Sequence, residues 1–191
     1  TVFVRLTGCP LRCQYCDSEY AFHGGERMTI EGILEQIAQY SCKTICVTGG
    51  EPLAQPNALI LMTQLCELGY QVSLETSGAM DVASVDPRVS IVMDLKTPDS
   101  AEVEKNLYGN IQHLRKKDQL KFVVCSRRDF DWALFKIDEY SLSDKVGELL
   151  ISPSFGQVEP AELADWVITS GAPVRFQLQL HKILWGDKPG V

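Results

Sequence analysis

Short β-branched, largely apolar runs recur along the chain, and between several of them the apolar positions change to helical spacing. VFVRL (2–6), TICVTG (44–49), QVSLET (71–76), SIVMDL (90–95), LKFVVC (120–125), ELLISP (148–153) and VRFQLQL (174–180) predict strands. Ile30, Ile33, Leu34 and Ile37 fall at helical spacing behind Thr29, which is available as an N-cap. Leu59, Met62, Leu65 and Cys66 mark a second helix closed by Gly69, and further helices are expected over 128–140 and 159–170. What remains between the strands is too short for a helix in every crossover. Strands alternating with helices imply a parallel sheet with right-handed crossovers, which places ligands at the C-terminal strand ends. Seven strands in 191 residues fall short of an eightfold barrel. The expected fold is therefore α/β: an incomplete, abbreviated (β/α) barrel with a curved, mostly parallel sheet. No repeat, low-complexity tract or linker divides it, so residues 1–191 are expected to form one domain.

Composition adds limits. The length suffices to bury a core without disulfides, and 45% hydrophobic with 23% charged residues is ordinary globular usage. A net charge of −7 counts against a broad nucleic-acid surface or an anionic membrane as partner. No apolar run of membrane-spanning length and no secretory signal is visible, which points to a cytoplasmic protein. There the seven cysteines, an odd number, should be thiols or ligands. The chain opens directly on a strand without Met, so an N-terminal lead-in is expected to lie outside this numbering.

GCPLRCQYCD (8–17) carries the chemistry, with Cys9, Cys13 and Cys16 spaced C-x3-C-x2-C after the first strand. Free cysteines often only pack in cores, yet three beside Gly8, Pro10 and Arg12 suit that poorly. Zinc would want a fourth ligand, for which His23 is the only near candidate. Three thiolates from one loop also suit three irons of a 4Fe–4S cubane, with the fourth iron open to a ligand. At the end of the second strand stands TGGEP (48–52), on its own an ordinary turn signal. ETSG (75–78), DLK (94–96) and SPSFG (152–156) end further strands, where each alone reads as a cap or turn. Cys42, Cys46, Cys66 and Cys125 read as structural.

The C-x3-C-x2-C spacing, with Tyr15 before the third Cys and GGEP downstream, resembles the radical S-adenosylmethionine (SAM) superfamily. That resemblance implies a 4Fe–4S cluster on Cys9, Cys13 and Cys16, whose open iron chelates SAM. It further implies SAM contacts at Tyr15, Cys16, Asp17, Gly50, Glu51, Ser77, Asp94, Leu95, Lys96, Ser152, Pro153, Ser154 and Phe155. Glu51 would meet the SAM ammonium, a natural partner for a carboxylate. No protein side chain is assigned a catalytic role, since cluster and SAM generate the radical.

From VFVRLTGCPLRCQYCDS through VTGGEPL, LETSG and DLKTP to QLHKILWGDKPGV, the whole chain resembles the 7-carboxy-7-deazaguanine synthase family of queuosine and deazapurine biosynthesis. The resemblance implies radical-mediated ring contraction of 6-carboxy-5,6,7,8-tetrahydropterin to 7-carboxy-7-deazaguanine with loss of ammonia, SAM acting catalytically. Arg5 would face the substrate carboxylate, Thr48 would hydrogen-bond the pterin, and Val191 would close the site from the C-terminal tail, where His181 and Lys182 also lie. Ser18 stands where the family's Mg2+ is usually held by Thr; it keeps the hydroxyl oxygen a hard cation wants. The family's Gln-Gly-Glu-Gly substrate segment does not occur in these residues. A flavodoxin- or ferredoxin-type electron donor and a homodimer are implied as well. The alternative within the superfamily is an activase that places a glycyl radical on a partner protein; outside it stands a structural or electron-transfer metal module.

Overall fold

A computed structural model of the chain describes residues 1–186, 188 and 190. All the expected strands form: β1 (Val2–Leu6), β2 (Thr44–Gly49), β3 (Gln71–Thr76), β4 (Ser90–Asp94), β5 (Gln119–Val124), β6 (Glu148–Pro153) and β7 (Arg175–Phe176). They pair in sequence order, every pair parallel, with β1 and β7 as the two edges. The curved sheet thus stays unclosed, as the strand count required.

Among the described residues six α-helices accompany it: α1 (Ile30–Ala38), α2 (Ala58–Glu67), α3 (Arg127–Glu139), α4 (Leu142–Lys145), α5 (Pro160–Ser170) and α6 (Leu180–Trp185). Thr29 caps α1 by accepting the Gly32 amide at 3.1 Å, and Gly69 follows α2 at φ 79°, as their residue types require. Ser126 caps α3 by accepting from the Asp129 amide at 3.3 Å. Pro160 opens α5 and left-handed Gly171 closes it.

Strand alternation divides the sheet into two unlike faces. Val4, Val47, Leu74, Met93, Phe122 and Ile151 point into the hydrophobic core that the helices cover. The residues between them face the other way. Arg5 pairs with Thr48, Glu75 with Val92, Asp94 with Lys121, and Val123 with Ser152. A parallel sheet normally buries apolar residues on both faces. Here one face is set with charge towards its C-terminal ends, where the site lies.

The strand expected over 174–180 proves to be only Arg175–Phe176; Gln177–Gln179 leave the sheet and Leu180 starts α6. Alternation of Leu178 and Leu180 with glutamines imitated a strand, but pairing with β6 stops at Phe176, the Gln177 amide making a last bond to Ile151 O at 2.9 Å before the chain turns away. α4 has too few residues for a periodic signal. The crossover from β4 to β5 holds three 3-10 turns, at Pro98–Ser100, Val103–Lys105 and Tyr108–His113, and no α-helix.

One buried carboxylate ties that crossover to the sheet. Asp129 is 0% exposed; it accepts from Thr97 Oγ1 at 3.0 Å, the Asp99 amide at 2.9 Å and the Cys125 amide at 2.9 Å. Asn106 holds the preceding residue, accepting the Lys96 amide at 2.9 Å and donating to its carbonyl at 2.8 Å. Asp129→Ala leaves the partly buried Asp99 and Cys125 amides without an acceptor, while Thr97 Oγ1 keeps Val123 O at 2.9 Å, and is expected to cost about 3 kcal/mol. Urea denaturation should show the shift; a midpoint equal to the parent's would mean that water replaces the carboxylate at no cost.

Candidate active site

The three-cysteine segment begins as β1 ends and is fixed by its backbone. The Gly8 amide donates to Ala21 O at 2.8 Å, Glu51 N to Gly8 O at 2.8 Å, and Gln14 N to Ser100 O at 3.1 Å. Arg12 stitches the loop from within, donating to Cys9 O at 2.8 Å and Leu11 O at 2.6 Å while lying 4.3 Å over the Phe22 ring. Gly49 and Gly50 pass close behind. A Cβ on Gly50 would stand 2.4 Å from Gly8 O and 2.8 Å from Cys9 Cβ, so only glycine lets β2 end against this loop. Gly50→Ala is therefore expected to displace Cys9 and lower the iron content of reconstituted protein roughly twofold or more. Unchanged iron at unchanged helicity would show that the loop gives way freely.

Cys9, Cys13 and Cys16 line one pocket of about 140 Å³ together with Tyr15, Asp17, Ser18, Gly49, Gly50, Ser77, Asp94 and Lys96. Ten of these residues are among those expected from the sequence, and the structure brings them to one pocket from four separate strand ends and loops. Among the described residues, no three Cys, His, Asp or Glu side chains converge on one point as a single metal ion would need. Three thiolates bound to three irons of a cubane have no such requirement. The donor set, three thiols on one short loop at the pocket wall, fits a 4Fe–4S cluster.

Burial pushes the Cys13 thiol up to about 11, although the Lys96 ammonium pulls the other way. Cys9 and Cys16 are also raised, mainly by burial. Without iron the thiols keep their protons near neutral pH, so cluster assembly must release them. Lys96 lies 3.1 Å from Asp94 Oδ2; burial disfavours its charge, but that carboxylate and the nearby cysteines leave its pKa raised overall. The Tyr15 hydroxyl and Asp94 Oδ1 are buried without a hydrogen-bond partner. Such orphaned polar atoms in a pocket suit a polar ligand.

A cavity of about 840 Å³ adjoins this pocket, lined by Arg5, Thr48, Glu75, Ser152, Gln177, His181 and Trp185 among others. Cys16, Asp17, Ser18, Lys121 and Gln179 line both. Arg5 lies 5.5 Å from the centre of the Tyr20 ring, and among the described residues its guanidinium has neither ion pair nor hydrogen bond. Glu75 and Lys121 likewise have no such partner there, and burial raises the Glu75 carboxyl while Lys121 opposes the shift. Two cations and a carboxylate are thus open to whatever fills the cavity.

Several expected contacts are placed elsewhere. Glu51 is 0% exposed, and its carboxylate faces the protein rather than the pocket. It accepts from Leu53 N at 3.0 Å, Thr76 Oγ1 at 3.0 Å, Ser77 N at 2.7 Å and Ser77 Oγ at 2.5 Å. The 3-10 turn Pro52–Ala54 folds it back against the end of β3. Expected to meet an ammonium, Glu51 instead clamps Ser77 to the GGEP turn. Leu95 is 0% exposed, so only its backbone can contact a ligand. Pro153 and Ser154 are buried away from both cavities, and Phe155 is 63% exposed with Lys182 Nζ 5.4 Å from its ring centre. Val191 lies outside the described residues. Conversely, the sequence offers Glu75 only within ETSG and gives no reason to select Lys121 or Gln179. The alternation of Glu75 with buried Leu74 and Thr76 was the available signal.

Comparison with known proteins agrees with this geometry. The model of the radical SAM superfamily matches residues 3–138. A 7-carboxy-7-deazaguanine synthase of Chlorobaculum tepidum is 40% identical over 99% of this chain and 87% of its own length. One from Thermoplasma acidophilum is 36% identical, covering 100% of this chain and 90% of the relative. In fold, the chain is similar to Streptococcus suis SuiB, solved bound to the precursor peptide SuiA, with TM-score 0.67 and 13% identity, over 93% of this chain. The match spans 48% of the SuiB chain. The sheet, the three-cysteine pocket and these full-length relatives place the chain in the radical SAM superfamily and, within it, in the 7-carboxy-7-deazaguanine synthase family.

Proposed function

We propose that the chain converts 6-carboxy-5,6,7,8-tetrahydropterin to 7-carboxy-7-deazaguanine with loss of ammonia, using a 4Fe–4S cluster, SAM and Mg2+. The observation that carries this reading is the cavity beside the cysteine pocket, with Arg5 on one side and Glu75 and Lys121 on another. A planar guanidinium suits the substrate carboxylate. The pterin ring offers a donor edge of N3–H and the 2-amino group, which a carboxylate such as Glu75 accepts, and a carbonyl towards which Lys121 can donate.

Cys9, Cys13 and Cys16 hold the cluster, while Asp94, Lys96, Ser77 and the Gly50 backbone surround the space for SAM. When bound, cluster and SAM together supply one-electron chemistry that takes a hydrogen atom from the substrate. The protein's part is to bind, orient and exclude water. Thr48 and Ser152 present hydroxyls along the cavity wall, and Gln177–Trp185 cover its open side. The Ser18 hydroxyl donates to Asp17 Oδ1 at 2.8 Å, so its lone pairs stay available. That hydroxyl oxygen fits a hard divalent cation, with the Asp17 carboxylate beside it holding the proton away.

The same reading includes one functional domain, a flavodoxin- or ferredoxin-type electron donor, a cytoplasmic location and a homodimer. In support of the dimer, Leu180, Ile183, Leu184 and Trp185 are exposed. Among the described residues, no helix is long and apolar enough to cross a membrane. An activase acting on a protein partner would need room for a peptide segment, whereas here the C-terminal segment lines a small-molecule cavity.

Glu75→Gln keeps the shape but loses the charge that meets the donor edge; KM for the pterin is expected to rise about tenfold. Steady-state kinetics at saturating SAM measures it. An unchanged KM would remove Glu75 from the substrate site.

A further inference from the structure

Gln179 comes from the segment between β7 and α6, far along the chain from the cysteine loop. Its Nε2 donates to Asp17 Oδ2 at 2.9 Å, closing a contact between residues 162 positions apart. The other oxygen of the same carboxylate, Oδ1, accepts the Ser18 hydroxyl at 2.8 Å. His181 Nε2 stands 3.7 Å from Oδ2, on the side Gln179 already occupies. Gln179, Asp17 and Ser18 all line both the cysteine pocket and the larger cavity.

The direction of these hydrogen bonds matters. A serine hydroxyl has one proton, and here that proton is directed at Asp17, which leaves both oxygen lone pairs free to accept. Serine lacks the methyl group that restricts a threonine rotamer, so the hydroxyl depends on its partner to stay in place. Asp17 in turn is a short side chain on an exposed loop, about a third exposed, and Gln179 fixes its second oxygen.

Resting on the function proposed above, we infer that Gln179 is a positioning residue: acting through Asp17, it holds Ser18 Oγ as an acceptor for the divalent cation. Docking of the C-terminal segment and formation of the cation site are thereby one event. A second tether supports the same docking, since the Gly190 amide donates to the Tyr20 hydroxyl at 3.3 Å on the same loop. The cation site is complete only when residues from the two ends of the chain meet.

The test uses cluster-loaded, full-length protein with SAM and the carboxypterin but no reductant, so that no turnover occurs. Mn2+ replaces Mg2+, and the free Mn2+ resonance is titrated. Gln179→Leu is expected to weaken Mn2+ binding about tenfold, as Ser18→Ala should, with iron content and SAM affinity unchanged. Thermal unfolding of both variants checks that they remain folded. If Gln179→Leu binds Mn2+ like the parent while Ser18→Ala does not, the positioning role is overturned and the proposed function stands. If the parent itself takes up no Mn2+, the cation part of the proposed function fails with it.

Discussion

Cys13→Ala is expected to abolish turnover and SAM cleavage together, with loss of the brown 4Fe–4S absorbance. Cys13 is the middle cysteine of the C-x3-C-x2-C loop proposed to hold the cluster, and its thiol lines the pocket beside Lys96 and Asp94. Removing one of three thiolates leaves an iron without its ligand on a loop that offers no replacement. Among the described residues, Cys125 is the one further cysteine tied to this loop, through the Gln14 amide at 3.4 Å from its sulfur. It lines neither cavity, so it cannot substitute. The apoprotein should stay folded, because the core lies on the other face of the sheet and contains none of the three ligands. Iron and sulfide analysis with a SAM cleavage assay decides the matter. Retained SAM cleavage in Cys13→Ala would contradict the ligand assignment.

Arg5→Ala should lower kcat/KM for the carboxypterin about a hundredfold, close to 3 kcal/mol, while leaving cluster and SAM binding intact. Arg5 sits on β1 in register with Thr48, and its guanidinium rests by the Tyr20 ring with no carboxylate partner among the described residues. A cation left unpaired in a cavity signifies a site for an anion more than a contribution to stability. Arg5→Lys keeps the charge but loses the bidentate geometry, so it should recover only part of the loss. The comparison separates charge from shape. Equal kcat/KM for parent and Arg5→Ala would place the substrate carboxylate elsewhere.

Much of the frame was legible because the strands alternate so regularly. Val47 and Leu74 reach the core while Thr48 and Glu75 do not, and the same period of two that built the sheet prediction sorts the site from the core. The cysteine loop and the GGEP turn were legible too, because their chemistry demands unusual residues at short spacing. The placements that the sequence did not reveal share a physical cause. Glu51 has the right type for an ammonium, but the short turn after it sends the carboxylate towards Ser77. Phe155 and Ser154 are neighbours in sequence, yet one is exposed and the other buried, which no loop pattern reveals. Gln179 matters through a partner 162 residues away, and the apparent strand around it hid a departure from the sheet. Long-range side-chain pairing leaves no local periodicity to read.

The proposed reaction requires one site to join cluster, SAM and a carboxypterin. It is tested most directly by turnover of the full-length protein, reconstituted anaerobically, with 6-carboxy-5,6,7,8-tetrahydropterin, SAM, Mg2+ and a low-potential reductant. 7-Carboxy-7-deazaguanine and ammonia are expected, with several products formed per SAM and no protein partner required. A protein with its cluster intact that forms no deazaguanine, or that consumes SAM only when a second protein is added, would contradict the proposed reaction.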